Sequence, residues 1–191
     1  MEEIKRRTNV IDFFASQQGH ALYQATTIES ICLQLRKILE LIAMGSLVAN
    51  KAEYSKAYAD FSKHWNAEYL MKDIARVNPN FYPEPIIEKP SQQEGVKSDW
   101  EKREGDFLTK EDFIKVYKKC GAIMHAGNPY GSHVDYSWYE KNFPLWRQQI
   151  INLLNAHTIR LVNDPHLYLV HMQEERDERV HHYIFAPGGQ Q

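Results

Sequence analysis

Apolar residues in the first half of the chain return every three or four positions. From about Ala21 to Asn50, Ile28, Ile31, Leu35, Ile38, Leu39 and Ile42 make one stripe at the helical period, with Gln34, Lys37 and Glu40 off it. Ahead of it, residues 9–18 read as a short helix with Val10, Phe13 and Phe14 on one side, interrupted at Gly19. A second long helix is predicted from about Glu53 to Val77, where Tyr54, Tyr58, Phe61, Trp65, Tyr69 (or Leu70) and Ile74 supply an aromatic-rich face. No proline occurs before position 79, so nothing vetoes long helices there, and Asn78-Pro79 ends the second one.

The pattern then dissolves. Residues 79–108 carry four prolines, two glycines and many charges, and read as a long connection. Phe81, Tyr82, Ile86 and Ile87 pack its first part along the helices, while its middle, from about Ser91 to Gly105, is expected to be mobile. Thr109 with Asp112 three positions on is a helix-start signature. The helix that follows, about Lys110 to Ala126, buries Phe113, Val116, Tyr117, Cys120 and Met124 and stops at Gly127-Asn128-Pro129. A fourth long helix is predicted from about Ser137 to Asn163, with Pro144 near its beginning. Finally 167–172 and 179–185 are runs of β-formers around a charged turn, read as an antiparallel hairpin over 167–186. The predicted architecture is therefore one mainly α domain: an up-and-down helical bundle over about 9–163, closed by a C-terminal β-hairpin.

Charge and cysteine usage narrow the function classes. A formal net charge of -2 argues against coating nucleic acid by bulk electrostatics, although a local basic strip stays open. Cys32 and Cys120 lie far apart inside helical patterns and read as free thiols of a reducing compartment. No apolar run reaches bilayer-spanning length and no signal-like segment follows the N-terminus, so the expectation is a cytoplasmic protein without membrane contact.

Two constellations carry candidate chemistry. Arg36 and Glu40 stand one helical turn apart, either as an exposed ion pair or as a charged pair facing a neighbouring helix or groove. In 117–131, Lys115, Lys118, Ala122 and His125 fall along one side of the helix. There the lysines would hold a phosphate while the imidazole moves protons near neutral pH. The competing account is that the helix dipole favours Lys and His in a last turn, and Gly-Asn-Pro is simply a stop. Nine histidines raise the question of a metal. However, only one of His181 and His182 can share a strand face with His171, no HExxH or CxxC spacing occurs, and no metal or cofactor is expected.

The segments LRKILELIA (35–43), NPNFYP (78–83) and CGAIMHAGNP (120–129) resemble those of bacterial proteins of the HEPN superfamily. The resemblance spans about residues 20–160 and leaves the hairpin outside. It implies a four-helix up-and-down core, an Arg and a Glu in an early helix, matched by Arg36 and Glu40, and a nuclease motif of Arg, four to six residues, then His. His125 matches that histidine. The motif's arginine would stand at 118, 119 or 120, which here are Lys118, Lys119 and Cys120. Lysine brings charge without arginine's planar bidentate fork.

By this resemblance the chain would be a homodimer acting on RNA without a metal, in RNA metabolism or prokaryotic defence. His125 would be the acid/base, Lys118 or Lys119 the phosphate contact, and Arg36, Glu40 and Asn128 the support. The alternative is a catalytically inactive module that binds a protein or RNA partner through the aromatic helix or the hairpin edge. The surroundings of His125 separate the two: a solvent-accessible cleft near Lys118 and Arg36 favours the first, and a buried, hydrogen-bonded ring the second.

Overall fold

The fold was taken from a computed structural model, which describes residues 1–57, 66–93, 95–96, 98–126, 130–131, 133–174 and 176–187. Helix α1 (Glu2–Ala15) starts seven residues earlier than the apolar pattern predicts. Glu2 and Glu3 suit the positive helix start, Glu3 pairs with Arg7 one turn on at 2.9 Å, and the residues turned to the core are Ile4 and Ile11. Val10 and Phe13, grouped on one side by the sequence pattern, are exposed.

Helix α2 (Gln24–Ala49) follows the predicted stripe, and all six of its marker residues are buried. Each such aliphatic side chain contributes about 1.5–3 kcal/mol on burial, and α2 is the hub of the helical layer. The long aromatic helix predicted over 53–77 is instead two pieces, α3 (Lys51–Ala57) and α4 (Ala67–Val77). Asn66, in an extended conformation, starts α4 by accepting hydrogen bonds from the Glu68 and Tyr69 amides at 3.0 and 3.3 Å. Tyr58, Phe61 and Trp65 lie outside the described residues. The stop at Asn78-Pro79 forms as expected.

The connection over 79–108 is not free of regular structure. It contains strands β1 (Glu84–Pro90) and β2 (Ser98–Lys102), an antiparallel hairpin in which Glu88 faces Trp100. Its prolines argue against a strand, but Pro85 and Pro90 sit at the two ends of β1, where missing N–H groups disturb the ladder least.

Helix α5 (Lys110–Ala122) begins as predicted, with the Thr109 hydroxyl accepting from the Asp112 amide at 3.1 Å. It ends four residues early, and the expected stop at 127–129 lies outside the described residues. Helix α6 (Tyr136–Leu154), capped by Asp135, keeps Pro144 inside it and ends nine residues before the predicted Asn163. The remainder becomes β3 (Ala156–Ile159), with His157 and Thr158 buried. Strands β4 (Leu167–His171) and β5 (His181–Phe185) form the predicted hairpin.

All five strands join one antiparallel sheet in the order β2-β1-β3-β4-β5. The expectation of a mainly α bundle with a lone hairpin is thereby corrected: this is a mixed α/β fold with six helices and five strands among the described residues. The sheet is strongly curled. Four strand spacings of about 4.8 Å separate β2 from β5 in a flat sheet, yet the Trp100 and Phe185 rings meet edge-to-face at 4.9 Å. Helix α6 packs on β1 and β3, and Tyr82 and Met172 carry the helical core toward the sheet. Among the described residues no helix is long and apolar enough to cross a membrane.

Candidate functional site

Where α2 crosses α5, a charged network closes around Tyr117. Arg36 Nη2 donates to the Tyr117 hydroxyl at 2.7 Å and Nη1 to the Tyr117 carbonyl at 3.3 Å. The guanidinium carbon also stands 3.9 Å from the Tyr117 ring centre. Glu40 Oε1 lies 3.4 Å from Arg36 Nε, Lys37 holds the other carboxylate oxygen at 2.9 Å, and the Tyr117 hydroxyl donates to Glu40 at 3.5 Å. Arg36 and Glu40 keep 23% and 12% of their side-chain exposure, so this pair faces another helix and not open solvent. Burial, with Glu40 alongside, pushes the Tyr117 phenol up despite the Ala67 amide and the Arg36 charge.

Gly121 makes room for this contact: a Cβ there would stand 2.4 Å from Arg36 Nη1. Glycine inside a helix costs about 1 kcal/mol relative to alanine, whereas a hydrogen bond to a charged group contributes about 1.5–3 kcal/mol. We therefore expect Gly121→Ala to destabilise the wild type by about 1 kcal/mol, and to stabilise an Arg36→Ala background by about 1 kcal/mol. Urea unfolding of the four proteins checks this. Equal effects in both backgrounds would show that the guanidinium does not depend on its glycine seat.

The lysines of α5 differ in their engagements. Lys118 is exposed and reaches Glu68 of α4 at 3.0 Å, a carboxylate that Lys72 also holds at 2.9 Å. These two ammonium groups, Lys72 first, keep the Glu68 carboxyl below its ordinary range. Lys119 turns the other way and lies over Trp138 of α6, 4.9 Å from the ring centre. Beneath them Cys32 and Cys120 are buried side by side. The contact with Cys32 and the burial push the Cys120 thiol up, away from nucleophilic use.

After Ala122 the chain makes a tight turn, with the Met124 amide donating to the Gly121 carbonyl at 3.2 Å and the His125 amide to Ala122 at 3.5 Å. His125 is exposed, four residues beyond Gly121, and its ring makes no hydrogen bond among the described residues. Asn128 lies outside the described residues. Arg36, Glu40, Lys118 and Lys119 thus gather around one helix, α5. Tyr117, Gly121, Glu68 and Trp138, which sequence reasoning did not assign, complete the group. Only Gly121 carried a signal, as a glycine within a helical pattern.

The histidines of the sheet behave differently. His171 and His181 pair across β4 and β5 on one face, and His182 points to the other. His171 Nδ1 stands 2.7 Å from Glu174, which also accepts from the Tyr183 hydroxyl. Its Nε2 lies 3.2 Å from Glu88 without making a hydrogen bond to it. His181 Nε2 meets Asp177 at 3.0 Å. The His171 and His181 rings are each committed to a carboxylate, and among the described residues no group of three His, Cys, Asp or Glu side chains is arranged to hold a metal.

Compared with family models, curated proteins and solved structures, the chain finds no match.

Proposed function

We propose that this chain is a HEPN-like protein directed at RNA, working as a homodimer, with the end of α5 as its contact surface and His125 as the proton-moving group. The observation that carries the reading is the seat of Arg36. The resemblance asks for an arginine at 118, 119 or 120, where the chain has Lys118, Lys119 and Cys120. Arg36 brings a guanidinium from α2 to Tyr117 and Gly121, so a planar cation rests on α5 four residues before the exposed His125. The exposed His125 ring is open to a substrate, and exposed Lys118 and Lys119 supply charge for phosphate.

A second reading, the inactive RNA-binding relative, has its own support. Arg36 is already paired with Glu40 and Lys118 with Glu68, and no side chain among the described residues orients the His125 ring. General acid–base catalysis needs an oriented group, so in this reading the α5 surface holds RNA without cutting it.

The test is cleavage of end-labelled tRNA and generic single-stranded RNA in EDTA by wild type and His125→Ala. The expected outcome is metal-independent cleavage that falls at least about 100-fold in the variant, with fold and dimer mass unchanged. RNA binding without cleavage by either protein selects the second reading, and neither binding nor cleavage removes both.

A further inference from the structure

We propose that the groove between α5 and α6 is a nucleobase subsite for single-stranded RNA, an inference that rests on the RNA-directed reading above. Along α6, Trp138, Asn142, Leu145 and Gln149 recur at helical spacing on one face, opposite Lys115 and Lys119 of α5, and between them lies a groove of about 290 Å³. Trp138 is 37% exposed, and Tyr139 and Trp146 brace its ring edge-to-face at 5.1 and 5.6 Å. A fixed, half-open indole is a stacking platform that loses little freedom on binding.

The lysines point to the same occupant. Lys115 is paired with Asp112 and Lys118 with Glu68. Lys119 has no carboxylate partner among the described residues and parks its ammonium over the Trp138 ring. An exposed cation–π contact is weaker than a base–aromatic stack. A base therefore takes the ammonium's place on the indole, and the long Lys119 side chain swings to the flanking phosphate. Asn142 spends its amide N–H on the Trp138 carbonyl at 2.7 Å. Its carbonyl oxygen and the Gln149 amide remain for a base edge. With a net charge of -2 the protein does not gather nucleic acid by its overall field, so stacking adds to what the local lysines supply. Duplex bases are already stacked on each other and cannot reach the indole, which restricts the occupant to single strands.

Fluorescence anisotropy decides the matter, with a short labelled single-stranded RNA, an abasic ribose-phosphate strand of the same length, and a duplex as ligands. Wild type is expected to bind the base-bearing strand about tenfold more tightly than the abasic one. Trp138→Leu should erase that preference, Trp138→Phe should keep most of it, and Lys119→Ala should weaken both strands. Equal affinities of wild type for the base-bearing and abasic strands overturn the subsite, even if Trp138→Leu fails to fold. RNA binding that ignores Trp138 also overturns it and leaves the RNA-directed reading standing. Absence of binding to any strand removes both.

Discussion

Taking the protein from pH 7 to pH 4 is expected to cost about 3 kcal/mol of folding free energy through one side chain, His157. The residue is fully buried in β3, and its Nδ1 lies 2.7 Å from the Leu154 carbonyl. A carbonyl only accepts, so Nδ1 carries the proton and donates. That leaves Nε2 bare, buried and without a partner. Protonating it would place a charge where nothing can receive the new N–H. Burial, only partly offset by the Leu154 carbonyl, lowers the imidazole from 6.5 to about 4, with His171 adding a smaller push the same way. A histidine depressed in the folded state contributes stability that is fully present above its unfolded value. That stability is lost as the pH falls from 6.5 toward 4, because the unfolded chain takes up the proton first. Asp164, held at about 2 chiefly by the Tyr168 hydroxyl, works in the same direction but at lower pH. His157→Asn isolates the term, since an amide can still donate to Leu154 and does not titrate. Urea unfolding of both proteins at the two pH values should show the excess loss only in the wild type. Parallel losses, or an NMR titration of the ring near its ordinary value, would dispose of the argument.

Asn78→Ala is expected to destabilise the fold by about 3 kcal/mol, lowering the melting temperature by roughly 10 °C. Asn78 is buried after the last turn of α4, and its side chain makes three hydrogen bonds. Its amide nitrogen donates to Asn50 Oδ1 and to the Arg160 carbonyl, each at 2.9 Å, and its oxygen accepts from the Asn80 amide at 3.0 Å. The end of α2, the end of α4 and the exit of β3 thus meet at one side chain. Alanine removes those bonds and strands the Asn50 oxygen out of water, and that desolvation makes the loss exceed the worth of a single bond. Asn78→Asp is a stricter test, because it keeps the volume and the acceptor but replaces both donors with oxygen. It should be at least as damaging as alanine. A calorimetric shift of less than a degree or two for either variant would mean that water replaces the asparagine.

What local patterning specifies came through from the residues alone. The stripe of α2, the Thr109 cap, the stop at Asn78-Pro79 and the β4–β5 hairpin depend on neighbours in sequence, and all four formed. What failed depends on distant partners. Prolines disguised β1, whose lower end is stabilised by His157 and Thr158 far along the chain. The segment after Leu154 continued an apolar pattern that suits a helix and a buried strand equally, and pairing with β1 and β4 settled it as β3. The α5 site divides in the same way. Arg36 and Glu40 could be paired by counting four residues, but no spacing foretells that Tyr117 fills the gap between them or that Lys119 finds an indole.

The curl of the sheet bears on how its edge strands are kept from pairing with stray strands. An open sheet offers two rows of unpaired backbone groups on which another chain can add a strand. Here β2 is short and carries Asp99, Glu101 and Lys102, charges that discourage such addition. The strand β5 is less protected, with Tyr183, Ile184 and Phe185 all exposed. Pinning Phe185 against Trp100 holds the apolar end of that vulnerable strand under the charged one, so the edge most prone to aggregation is guarded by the strand farthest from it in the sheet order.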